Sequence, residues 1–163
     1  MIKDAIQKEL KKIFEIDQEN NSKYSKKEIT IEKLIELQDI NFKDFNKIII
    51  ENGFPFKDIV GDESYKQAVT IALHSNPKNM RIYESIFSKI EDTSKIDLAD
   101  KAYFIDKLRL MEKRPQVYGT QYTKKSDGTI SFKEIEDIEN VNMKRNNLGI
   151  GTLEEYKKFA EGR

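Results

Sequence analysis

The hydrophobic period of this chain changes from helical to alternating at Pro115, and that change limits the folds open to it. Before Pro115 apolar residues recur every three or four positions, the spacing of one helix face. After it, residues 116–123 read as an alternation of period two. The spacing predicts helices over residues 2–17, 28–38, 42–52, 62–75, 78–91 and 97–113, then a β-hairpin over 116–134, then short helices over 139–147 and 153–161. Asn41 and Asp62 are read as N-caps, Gly53 and Pro115 as stops, and Asp17 to Lys27 as a loop. Ser126-Asp127-Gly128 is the hairpin turn, and Thr152-Leu153-Glu154-Glu155 a capping box. An isolated hairpin is marginal in water, so it must lie on the helices. The fold class expected is mainly α: a single-domain helical bundle with one β-hairpin packed on it, α+β by strict count.

Composition narrows the function. There are 29 basic and 29 acidic residues, and this balance argues against a dedicated DNA-binding surface. No cysteine is present, which removes disulfides, thiolate metal sites and cysteine nucleophiles. One histidine without cysteine, and without a tight acidic cluster, gives no metal site, and no cofactor fingerprint is present. No stretch approaches the ~18 apolar residues of a membrane span, and residues 1–10 lack a signal-peptide core. The expectation is a cytoplasmic protein, and the Ile, Lys and Asn usage suggests a bacterial or phage source.

Two places carry chemistry. His74, the single histidine, falls near the end of the fourth predicted helix. Its plain role is a hydrogen bond to a backbone carbonyl at the helix end; its functional role is general acid or base. The second place is Arg114-Pro115-Gln116-Val117-Tyr118-Gly119-Thr120-Gln121. On a strand, Gln116, Tyr118 and Thr120 would share one face, with Gln121 on the other. Such polar groups are either solvated or hold a ligand, and Gly119 inside a strand marks a bulge or a close approach. Lys107, Arg109 and Arg114 form either a solvated basic helix end or an anion clamp beside the hairpin, and Arg145 is a further polar group from the C-terminal part.

Asp17-Gln18, Asn52-Gly53 with Pro55, Val60-Gly61, His74-Ser75, Asp106, Gln116-Val117-Tyr118-Gly119-Thr120-Gln121, Glu136-Asp137, Asn140-Val141, Arg145 and Leu148-Gly149 follow one another in an order that resembles a bacterial domain family of unknown function. Its members carry a Gln-x-Tyr-Gly-Thr-Gln element after an Asp-Arg helix, and a late Val-Asp-x-x-Arg-Arg segment before a Gly-Leu turn. The chain departs from that pattern at Asp106-Lys107, at Val141-Asn142, and at Glu19-Asn20, where an arginine is expected. The resemblance covers nearly the whole chain and implies that His74, Gln116, Tyr118, Thr120, Gln121 and Arg145 belong to one site. It implies no reaction.

These readings lead to three expectations. The first is a pocket for a small polar or anionic ligand, such as a nucleotide or sugar phosphate, formed by His74 and the Tyr118 face, with Lys107, Arg114 and Arg145 as binding groups. His74 would add hydrolase or lyase activity. The second is a protein-interaction module: an immunity, inhibitor or phage counter-defence protein. The third is non-catalytic sequestration of a signalling nucleotide.

Overall fold

A computed structural model describes residues 2–162. Among them the chain is mainly α-helical, with eight helices and one two-stranded antiparallel hairpin. The backbone divides into two compact units, one ending at Met80 and the other beginning at Arg81. No helix among the described residues is long and apolar enough to cross a membrane.

The first unit is built on α1 (Ile2–Ser25), which packs against α2 (Ile31–Asn52), α3 (Lys57–Val60) and α4 (Asp62–Leu73). Ile6, Leu10 and Ile13 form the buried stripe of α1, and Leu34, Phe42, Phe45 and Ile48 that of α2. Phe45 meets Phe42 and Phe54 edge-on, at centroid distances of 5.9 and 6.2 Å. Gly53 ends α2 at φ +77°, its N–H donating to Ile49 O over 2.9 Å.

Four expectations change here. The helix expected to stop at residue 17 runs on to Ser25. Residues 17–25 contain neither glycine nor proline, and Asp17 and Asn20 are buried. The helices expected over 28–38 and 42–52 are one helix, capped by Thr30, whose hydroxyl accepts from Lys33 N. Asn41 is not a cap. Its amide is buried inside α2 and donates to Ile13 O of α1 over 3.0 Å, so a tertiary partner overrides its local preference for helix ends. Asp62 is the first helical residue of α4, and Gly61 holds the cap position at φ +80°.

α5 (Pro77–Ser88) begins in the first unit and continues into the second. In the second unit Phe104 of α6 (Leu98–Met111) packs on Phe87 and Tyr83, at centroid distances of 4.4 and 6.2 Å. β1 (Tyr122–Lys124) pairs with β2 (Ile130–Phe132) in the register Tyr122↔Phe132, Thr123↔Ser131, Lys124↔Ile130. The turn is closed by Gly128 N–H to Lys125 O, and by Asp127 accepting from Thr129 N–H and hydroxyl. α8 (Leu153–Glu161) lies on β2 and on α7 (Val141–Asn147), and opens with the expected Thr152–Glu155 capping box.

The hairpin is shorter than its alternation suggests. Residues 116–121 form no strand; Gln116 makes only an isolated parallel bridge with Ile135. Gly119 sits at φ +67°, which breaks the extended backbone, so the face shared by Gln116, Tyr118 and Thr120 does not form.

Candidate functional site

The segment after α6 folds around one side chain. Asp106 of α6 is 0% exposed, and its carboxylate accepts four hydrogen bonds from this loop. Oδ1 takes Val117 N–H at 2.7 Å and Tyr118 N–H at 3.0 Å; Oδ2 takes Thr120 N–H and Thr120 Oγ1–H, both at 2.9 Å. Those bonds occupy about the full accepting capacity of a carboxylate.

Gln116 works inside the same loop. Its amide nitrogen donates to Gln121 O and Lys133 O, both at 3.0 Å, and its oxygen accepts Gln121 N–H at 2.7 Å. The amide joins residues 121 and 133, whose backbones also meet through Lys133 N–H to Gln121 O at 3.0 Å, and both its donors are engaged. A Cβ on Gly119 would stand 2.7 Å from Leu153 Cδ1 and 2.8 Å from Ile135 Cδ1, so a side chain there requires those two side chains to shift, on top of its φ of +67°.

Arg145 of α7 closes the loop from the other side. It is 3% exposed. Nη1 donates to Tyr118 O at 2.7 Å and Nε to Gly151 O at 2.6 Å, and the guanidinium lies 5.2 Å from the Tyr156 ring centre. Among the described residues no carboxylate pairs with it. Burial lowers its pKa from the ordinary arginine value, against the attraction of Tyr156, Tyr103, Asp106 and Glu154. The charge remains, because an arginine stays protonated in proteins.

That guanidinium lines a pocket of about 350 Å³. Thr120, Tyr103 and Tyr156 bring polar atoms to it; Ala99, Ile150 and Phe159 bring apolar surface. Tyr103 hydroxyl donates to Tyr156 hydroxyl at 3.1 Å, which donates to Thr120 O at 3.0 Å. Burial, with the Tyr103 hydrogen bond behind it, pushes the Tyr156 phenol far above its ordinary pKa, so it stays a neutral donor. Glu155 also reaches the pocket, with Oε2 bonded to Thr152 N–H in the capping box.

The expected site residues divide accordingly. Thr120 and Arg145 line the pocket. Gln116 holds the loop from within, and Gln121 donates its side-chain amide to Thr120 Oγ1 at 3.2 Å. Tyr118 contributes its main chain to Asp106 and Arg145; its half-buried phenol has its pKa raised by burial and then by the Asp106 charge. Arg109 pairs with Glu136 and donates to Pro115 O, Arg114 pairs with Glu112, and neither they nor Lys107 line the pocket.

His74 belongs to the first unit and the Gln116–Gln121 segment to the second. α4 stops at Leu73, short of the expected residue 75, with His74 at its C-cap, and the His74 ring does not bond a backbone carbonyl. Nδ1 lies 2.7 Å from Oδ2 of Asp17, a carboxylate buried inside α1 rather than in a helix-end loop.

Asp106, Tyr103, Tyr156 and Asp17 were not among the expected site residues. Two of them leave a readable signal. Asp106 stands four positions after Ala102, and Asp17 four after Ile13, so each carboxylate occupies a place on an apolar stripe. Among the described residues no three His, Asp or Glu side chains converge as a metal ion would need.

The model of a protein family described as a family of unknown function, DUF6624, matches residues 4–163. No curated protein and no solved structure matches the chain.

Proposed function

The chain belongs to the DUF6624 family, whose function is unknown, and we propose that its second unit binds a small anionic ligand in the pocket lined by Arg145. One observation carries this reading: Arg145, 3% exposed, lines a ~350 Å³ pocket without a carboxylate partner among the described residues. A buried charge is costly unless a counter-charge or several hydrogen bonds compensate it. Two carbonyls and an aromatic face do so in part, and an anionic ligand completes the set. Phosphate or carboxylate suits the planar fork of arginine. The Tyr103 and Phe159 rings and the Ile150 side chain suit a ligand with an apolar or ring-shaped body, and the volume falls in the range of small-molecule sites.

A thermal-shift panel of nucleoside monophosphates, sugar phosphates and aromatic carboxylates tests this. A ligand at a hundred times its dissociation constant adds about 2.7 kcal/mol to stability. Arg145 itself holds the loop, so the informative variant is Ala99→Glu, which puts a negative charge into the pocket near the start of α6, where a helix tolerates it well. The expected result is a hit with wild type and none with Ala99→Glu, both proteins being folded. Silence across the panel, or an unchanged response in Ala99→Glu, overturns the reading.

A further inference from the structure

We propose that Asp17 and His74 form a proton-transfer pair in the first unit, with His74 Nε2 as the base that takes a proton from a bound water or hydroxyl. This is independent of the Arg145 pocket.

The geometry fixes the ring. An ionised carboxylate only accepts, so the 2.7 Å contact places the imidazole proton on Nδ1. Gln18 Nε2 donates to the same oxygen at 2.9 Å and holds it in place. Asn21 Nδ2 is also near Nδ1, at 3.4 Å, but its short bond is to Asp17 O at 2.8 Å, so it does not compete for the ring. In the neutral ring, with Nδ1–H committed, Nε2 carries the lone pair, and among the described residues it has no hydrogen-bond partner. The His74 side chain is 28% exposed, while that of Asp17 is 3% exposed. A buried acid orienting a partly open imidazole is the arrangement by which a carboxylate selects the basic tautomer.

A purely structural tie is the competing account, and the position of Asp17 argues against it. Ile6, Leu10, Ile13 and Asp17 follow one another at helical spacing on the buried face of α1. Stability alone favours an apolar residue there, because a buried polar group costs free energy that its hydrogen bonds only offset. In the proposed step an O–H bond breaks, an N–H bond forms at Nε2, and the electron pair stays on the oxygen, which becomes the nucleophile. His74 is the catalytic residue and Asp17 the positioning residue.

The single histidine makes the test clean. Nitrogen-15 spectra of the histidine-labelled protein are expected to show the neutral ring protonated at Nδ1 and bare at Nε2. Asp17→Leu, which suits the apolar stripe, is expected to stay folded and shift the ring toward the Nε2–H form. Hydrolysis of p-nitrophenyl acetate supplies the functional readout: wild type is expected to exceed His74→Gln severalfold and to slow in heavy water, as water deprotonation requires. Asp17→Leu is expected to fall to the His74→Gln rate. A neutral ring carrying its proton on Nε2, or equal rates in wild type and His74→Gln, overturns the proposal. So does an Asp17→Leu protein as fast as wild type.

Discussion

Asp106 accepts four hydrogen bonds from one loop, more than any other side chain gives it. Replacing a carboxylate oxygen by NH₂ turns one accepting edge into a donor facing backbone N–H groups. Asp106→Asn is therefore expected to lower the unfolding free energy by about 2–3 kcal/mol, the scale of a lost charged hydrogen bond with an unsatisfied buried donor. Urea unfolding measures it, and a loss below about 0.5 kcal/mol would mean that the loop is held by something else. Gly119 has a different reason to be irreplaceable. Gly119→Ala must adopt φ +67° and bring its Cβ against Leu153 and Ile135. The left-handed backbone costs about 1–2 kcal/mol for an alanine, and the two contacts add to it. A double-mutant cycle with Leu153→Ala is expected to show coupling, since the second change removes one clashing group; strict additivity would place the whole cost in the backbone.

At the level of elements, helices were legible wherever local signals and tertiary packing agree. The Gly53 stop and the Thr152–Glu155 box appear where the residues announce them. Two of the failures share a physical cause: a polar side chain whose partner is not its nearest neighbour in the chain. Asn41 reads as a cap until Ile13 O is seen beside it, and Gln116 reads as a strand residue until its amide is seen bridging Gln121 and Lys133. The candidate site was legible to the same extent. Thr120 and Arg145 could be named from the chain, but Tyr103 and Tyr156 reach the pocket from α6 and α8, and no local pattern joins those segments. Two substitutions test the element picture. Thr152→Ala is expected to cost about 1 kcal/mol by removing the cap of α8. Asn41→Ala, inside α2, is expected to cost about 1–2 kcal/mol through the lost bond to α1. Backbone carbon-13 chemical shifts should then show α2 still one helix; a loss of helical shifts centred on Asn41 would mean that the residue does act as a helix boundary.

Over the whole molecule, 29 cations balance 29 anions, and many of them meet as exposed pairs. Lys23 holds Glu19 below the ordinary glutamate pKa, Lys47 does the same to Asp44, Arg81 with Arg114 to Glu112, and Lys144 with Asn140 to Asp137. A carboxyl whose folded pKa is lowered contributes stability above its unfolded pKa and loses it as pH falls through the folded one. Glu19 and Asp44 conversely raise Lys23 and Lys47, whose contribution is complete below the unfolded lysine pKa and is lost as pH rises through the folded one. Their joint effect is a plateau between about pH 5 and pH 9, with an acid shoulder below it and a shallower alkaline one above. All these groups are solvent-facing, so each pair contributes little and is screened by salt. Melting temperatures taken across this range in ~0.02 M and ~1 M sodium chloride are expected to show the acid shoulder flattening at high salt. A shoulder that keeps its full depth in salt would move its origin from the exposed pairs to carboxylates shielded inside the fold.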